Sequence, residues 1–233
     1  LYFRSIKVQR HVMEAPIREN LATALLALLL QQYKQSEKPI LIDPMGGSGV
    51  FLSEAWAMGT PIDRPFAYQF FKKNLALQIT ALAKESFFLR YLYRDRDIKA
   101  LEAARHNLAP LIEHKLLDST SEDLFQAIEI PRTENTAPIL LIVNPPYGVR
   151  LNLGPITLLQ LFVVLTERYA PTLMGIIIPK EWATGPDWSK VSKMAKQKSY
   201  RVVITRPFQN GGLDVLFVVW ERSSTLPTQA PLT

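Results

Sequence analysis

Two stretches of this chain carry residue types whose spacing suits a particular chemistry. The first is Asn144-Pro145-Pro146-Tyr147, directly after the apolar run Ile139–Val143. A carboxamide oxygen and a neighbouring backbone carbonyl can both accept hydrogen bonds from one exocyclic amine, and the Tyr147 ring offers a face on which a flipped nucleobase can stack. Neither proline has an N–H, and their fixed φ angles hold the turn in one shape. The residues that would do the chemistry are therefore Asn144, Pro145, Pro146 and Tyr147. The plainer reading is that Asn-Pro merely starts a turn after a strand.

The second stretch is Asp43-Pro44-Met45-Gly46-Gly47-Ser48-Gly49, which follows Ile40–Ile42 and opens the helical pattern Phe51, Leu52, Ala55, Trp56. A Walker loop needs a lysine after its second glycine, and none follows Gly46 or Gly47. The dinucleotide fingerprint, counted from Gly47 and Gly49, asks for glycine where Leu52 stands. A nucleophile elbow around Ser48 needs glycine at position 50, where the chain has Val50. What remains is a turn that lets a small cofactor lie against bare backbone, with Asp43 ordering the turn or holding an ammonium group.

S-adenosylmethionine meets that need. Its ribose hydroxyls require an acid at the end of the next strand, where Tyr93-Arg94-Asp95-Arg96-Asp97 supplies Asp95. Asp95 and Asp97 also suit the cap of a helix starting at Ile98. For the adenine amine, Glu122-Asp123-Leu124-Phe125 offers Asp123, with Leu124 or Phe125 to flank the ring. Asp118 is the rival, and helix capping accounts for Asp123 nearly as well.

Positioning these loops requires a regular alternation of elements. Helical spacing over Arg18–Tyr33 precedes a buried strand at Pro39–Asp43, and a helix runs from the glycine turn to Met58. Helix Phe66–Ala83, strand Phe87–Asp95 and helix Ile98–Leu108 follow. A shorter strand near Leu116–Ser121, strand Ile139–Asn144, helix Ile156–Tyr169 and strand Met174–Ile178 complete the alternation. The last two strands, Tyr200–Arg206 and Val215–Trp220, are joined through Asn210-Gly211-Gly212. The pattern predicts a mostly parallel sheet with helices on both faces and an antiparallel hairpin at one edge.

Composition narrows the class. The chain has 233 residues, a formal charge of +6 and no cysteine. That excludes disulfides and thiolate metal sites, and the scattered His11, His106 and His114 predict no metal. The charge fits a polyanionic partner or plain solubility equally well. Lys180, Lys190, Lys193, Lys196, Lys198, Arg201 and Arg206 bunch late in the sequence, as a basic patch for phosphates or as a solvated helix face. Leu21–Leu30 is too short to span a bilayer and lacks the flanks of a secretion signal, which predicts a soluble, cytoplasmic chain. One domain is expected over residues 1–222, with a lead-in and helix over 1–36, and a flexible tail over 223–233. The opening Leu-Tyr-Phe-Arg-Ser reads as a strand entered partway, as if an upstream domain had been removed.

With these residues assembled, the chain resembles the Rossmann-type, S-adenosylmethionine-dependent RNA methyltransferases that modify the exocyclic amine of guanine, such as the large-subunit ribosomal RNA guanine-N(2) enzymes. The resemblance rests on Glu14–Ala22, Asp43–Gly49, Arg64-Pro65-Phe66-Ala67, Asp95-Arg96-Asp97 with Glu102-Ala103-Ala104-Arg105, Asn144–Gly148, and Asn210-Gly211-Gly212. It implies a seven-stranded class I methyltransferase sheet and a cofactor site made of Arg18, Asp43, Met45, Gly47, Gly49, Phe51, Asp95, Arg96, Asp123, Leu124 and Asn144. It also implies RNA as partner, captured with the help of an upstream THUMP domain. Three positions depart from the family pattern: Gly46 replaces a common Cys, Val50 a common Thr, and Tyr93 a usual Gly, where its ring is expected to narrow the pocket. A DNA adenine-amine methyltransferase would use the same tetrapeptide, and a non-catalytic RNA-binding module is the remaining alternative.

Overall fold

The computed structural model describes residues 17–59, 86–126, 137–146 and 157–223. Seven strands form one sheet: β1 (Ile40–Asp43), β2 (Arg90–Asp95), β3 (Leu117–Ser121), β4 (Ile139–Val143), β5 (Leu173–Pro179), β6 (Tyr200–Asn210) and β7 (Leu213–Arg222). Their spatial order is β3-β2-β1-β4-β5-β7-β6. The first five are mutually parallel, and β7 lies antiparallel between β5 and β6.

The helices are α1 (Glu19–Gln32), α2 (Val50–Gly59), α3 (Ile98–Asn107), α4 (Ala109–Glu113), α5 (Leu158–Tyr169) and α6 (Pro186–Gln197), with a 3₁₀ turn at Lys180–Ala183. Alternate strand residues serve opposite faces. Leu41, Leu140, Ile142, Ile177 and Phe217 pack with α1, α2, α3 and α4, through Leu25, Leu29, Leu52 and Leu108. Ile40, Leu141, Val143, Ile176 and Val218 pack with α5 and α6, through Leu161, Phe162, Leu165 and Val191. With both faces covered, the inner strands read as unbroken apolar runs.

The Rossmann-like fold class, mostly parallel with an antiparallel C-terminal hairpin, is the one the sequence predicts. Boundaries differ where side chains intervene. Strand β2 begins at Arg90, not Phe87, because Ser86 Oγ accepts the Phe88 N–H (3.1 Å) and donates to the Phe88 carbonyl (2.7 Å), curling the chain before the ladder starts. Helix α4 was not expected; Pro110 sits in its first turn, where a missing N–H is harmless. The expected helix over 66–83 lies outside the described residues. Among the described residues no helix is long and apolar enough to cross a membrane.

Gly175 shows how tightly β5 is packed. A Cβ there would lie 2.5 Å from Phe217 Cζ and 2.7 Å from Cε2, inside van der Waals contact. Gly175→Ala is therefore expected to cost about 1–3 kcal/mol, as overpacking does, read as a lower urea midpoint at unchanged slope. A midpoint equal to wild type would contradict this packing.

Candidate active site

Strand order reverses between β1 and β4: the chain leaves β1 towards β2 and β3, then returns to lay β4 on the other side. Loops on the two sides of such a reversal diverge and open a crevice beyond the carboxyl ends of the strands. Ile42 lies beside Leu141 in the parallel register, so the glycine turn after Asp43 and the corner after Val143 leave the same edge side by side.

The glycine turn is held from several directions. Gly47 and Gly49 adopt φ of +52° and +78°, which favours glycine at both. Gly46 N–H donates to the Arg94 carbonyl (3.0 Å), and Gly49 N–H donates to the Gly46 carbonyl (2.8 Å). Gly47 N–H donates to Asp95 Oδ2 (2.8 Å), while Tyr93 Oη donates to the Gly47 carbonyl (2.7 Å). Asn107 Nδ2, at the end of α3, donates to the Ser48 carbonyl (2.9 Å). Asp43 lies beneath, 2% exposed, its Oδ1 accepting the Met45 N–H at 3.3 Å. Burial pushes its carboxyl up to about 8; the Met45 hydrogen bond offsets part of this and the charge of Asp95 adds to it.

Asp95 therefore stands against the turn, but both its oxygens already accept backbone hydrogens, Oδ1 from Asp97 N–H at 2.9 Å. Asp97 caps α3 through Lys99 N–H. An open cleft of about 600 Å³ begins beyond β2 and β3, lined by Arg96, Asp97, Ser121, Glu122, Asp123 and Gln126. Asp123 thus reaches the cleft, although Oδ1 also accepts the Phe125 N–H. Asp118, its rival, is held by Arg94 at 3.1 Å. Leu124 is buried and Phe125 is exposed.

Other predicted residues lie further from open space. The Phe51 side chain is in the core at 2% exposure, leaving its backbone to face any ligand, and Gly49 backs onto Leu108. Met45 is half-buried against the α5 face. Arg18 is exposed at the cap of α1, and among the described residues no hydrogen bond joins it to the glycine turn. At the second corner Pro145 is buried and Asn144 and Pro146 are half-buried; Tyr147 lies outside the described residues. Asn144 Oδ1 is buried and, among the described residues, has no hydrogen-bond partner. A buried acceptor left unmade is costly, so its retention asks for a donor from elsewhere; the cleft beyond β2 and β3 is lined by neither Asn144 nor the glycine turn.

Residues 7–180, which contain both corners, match the family described as RMKL-like, methyltransferase domain. The chain belongs to that family. The methyltransferase domain is 34% identical over 160 residues to the ribosomal RNA large subunit methyltransferase K/L of Acinetobacter baylyi, covering 61% of this chain and 21% of that protein. It is 34% identical over 175 residues to the protein of the same name in a Marinomonas species, covering 69% and 24%. The chain spans about a quarter or less of the length of these curated relatives. Among solved structures it is similar to the methyltransferase SMU.472 complexed with SAH, with TM-score 0.59, 22% identity, and 92% of this chain and 55% of that one covered. For TrmN from Thermus thermophilus the TM-score is 0.54, with 18% identity and 88% and 49% covered.

Two positions escaped sequence reasoning. Arg168, at the end of apolar α5, pairs with Glu122 and donates through Nη1 to the carbonyls of Asp123 (3.2 Å) and Leu124 (2.8 Å), fixing the turn after β3. Its signal is a Glu167-Arg168 pair closing an otherwise uncharged helix. Asn107 gave no signal beyond ending a helix. The seven late basic residues do not form one patch: Lys180 follows the carboxyl end of β5, while Arg201 pairs with Glu221 opposite Leu173, about 20 Å away at the rise of a strand. Lys190, Lys198 and Arg201 also face carboxylates of Asp187, Glu167 and Glu221.

Asp43 makes the methyltransferase domain's stability depend on pH. Folded, it keeps its proton up to about 8; unfolded, it loses it near 3.8. The folded state thus binds the extra proton between those values, and stability falls as pH rises through that window. Asp43→Asn keeps an acceptor for Met45 and removes the effect, so the melting temperature of the variant minus that of wild type should grow from pH 5 to pH 8. A difference that is flat with pH would contradict a neutral Asp43.

Proposed function

We propose that this domain transfers a methyl group from S-adenosylmethionine to the exocyclic amine of a guanine in RNA, most directly ribosomal RNA. The observation that carries the reading is Asn144 Oδ1, buried and without a partner among the described residues, at a corner beside the glycine turn. A planar amine has two N–H donors; Asn144 Oδ1 and the Pro145 carbonyl can take both and fix its orientation. Tyr147, on the strength of its residue type, supplies the stacking face for a base swung out of its helix or loop.

On the other side of the reversal, the bare backbone at Gly47, with nothing within 4 Å of where a side chain would start, leaves room for a ligand to lie close. Asp43, neutral without ligand, would give up its proton to hold the ligand's ammonium, Asp95 would take its ribose hydroxyls, and Asp123 with Leu124 its adenine. Met45, Gly47, Gly49, Phe51 and Arg96 would complete the contacts mainly through backbone and cleft edges. When bound, S-adenosylmethionine would supply an electrophilic methyl on a positive sulfur, passed to the amine nitrogen as the carbon–sulfur electrons return to sulfur and the amine's proton leaves to water. The lone pair is delocalised into the ring before attack, so acceptors on both N–H bonds favour the pyramidal, nucleophilic nitrogen. Alignment accounts for most of the rate, and no strong base is required.

The RNA substrate is supported by the ribosomal RNA methyltransferase names of the curated relatives. In this reading RNA capture is shared with a THUMP-type domain, as the sequence resemblance implies.

Calorimetric titration with S-adenosylmethionine should saturate at one site, and mass spectrometry of nucleosides from treated ribosomal RNA should show N2-methylguanosine. Methylated adenine in DNA would favour the alternative substrate, and no saturable binding would leave a non-catalytic module. Asn144→Ala should cut turnover by about a hundredfold, the scale of losing an orienting acceptor, while cofactor affinity changes little. Equal losses in both would contradict this division of labour.

A further inference from the structure

We propose that Tyr93 is a positioning residue of the glycine turn, taking over the side-chain volume of position 46 and fixing the Gly47 peptide from β2. The inference rests on the reading that this turn holds the cofactor. Gly47 and Gly49 are at positive φ; Gly46 is not, so its backbone would accept a side chain. What excludes one is the neighbouring ring. A Cβ at 46 would lie 2.5 Å from Tyr93 Cδ2 and closer still to Cε2. Tyr93 is fully buried and lies beside Asp43 in the sheet register, so its ring cannot swing into solvent to make room.

Gly46 in the turn and Tyr93 on the strand are thus one packing pair: the ring fills the space a side chain at 46 would take. The ring also brings a hydroxyl. Tyr93 Oη donates to the Gly47 carbonyl at 2.7 Å, and the N–H of the same residue donates to Asp95 Oδ2 at 2.8 Å. Both peptide groups flanking the Gly47 Cα are held by the end of β2. The ring, which the resemblance leads one to expect in the pocket, is fully buried beneath the turn and does not line the cleft beyond β2 and β3. Tyr93 thereby sets where the turn's free backbone and the Asp95 carboxylate stand relative to each other.

The test is a swap with two readouts, S-adenosylmethionine affinity by calorimetry and melting temperature. Gly46→Cys alone should weaken affinity by about tenfold or more, since the added side chain meets the ring. Tyr93→Gly alone should do the same, by leaving a cavity and an unmatched carbonyl. The double variant should bind more tightly than either single one. Tyr93→Phe keeps the packing and loses only the donor, so its melting temperature should stay near wild type while affinity falls about fivefold. If the losses of the two single variants add in the double, or Tyr93→Phe binds as wild type does, the positioning role is overturned. A wild-type protein that binds no S-adenosylmethionine overturns the cofactor reading as well, which separates the two failures.

Discussion

The reversal of strand order between β1 and β4 is the constraint on which the rest depends. Two chain segments about a hundred residues apart in sequence end at the same edge of the sheet because their strands pair in parallel, Ile40 beside Ile139 and Ile42 beside Leu141. Had β4 been added beyond β3, the glycine turn and Asn144 would be separated by two intervening strands, three spacings of about 4.8 Å each and so about 14 Å of sheet. The helices follow from the same arrangement, since parallel neighbours need crossovers, and crossovers cover both faces.

Around that edge the molecule tolerates features that would be defects elsewhere. Asp43 is buried with its carboxyl raised to about 8, and no partner among the described residues meets the buried Asn144 Oδ1. Both are polar groups withdrawn from water without full compensation, which a stable core avoids and a preorganised site uses. The surrounding bonds supply rigidity: Tyr93 and Asp95 grip Gly47, Asn107 grips Ser48, and Arg168 grips the turn after β3. Each grip comes from a different element, so the shape of the site is a property of the whole sheet edge.

How much could be read in the sequence depends on whether a signal is local. Ile40–Asp43 and Ile139–Val143 are legible because buried parallel strands are continuously apolar, and Thr157 with Gln160 closes a capping box that starts α5. β3 was less legible: Leu117-Asp118-Ser119-Thr120-Ser121 is an edge strand with mostly exposed side chains and little apolar pattern. The acids Asp95 and Asp123 are legible by their position after strands, with capping of nearby N–H groups as the rival reading; that Asp95 also takes the Gly47 N–H is visible only once the turns are folded. Tyr93 and Arg168 act on partners 46 and 44 residues away, so no window of sequence contains both ends of either contact. The dispersal of the late lysines and arginines was hidden for the same reason, because adjacency in sequence ran across both edges of the sheet.

The central claim is that the glycine turn and the Asn144 corner form one cleft that brings methyl donor and amine together. The most direct measurement is a crystal structure with S-adenosylhomocysteine bound. The account predicts the amino-acid moiety against Gly46–Gly49 near Asp43, the adenosine towards Asp95 and Asp123, and the sulfur facing Asn144 across a gap that an amine and a methyl group would fill. Near-attack geometry requires reacting atoms about 3–3.5 Å apart, so a sulfur turned away from Asn144, or a ligand seated away from the glycine turn, would contradict it.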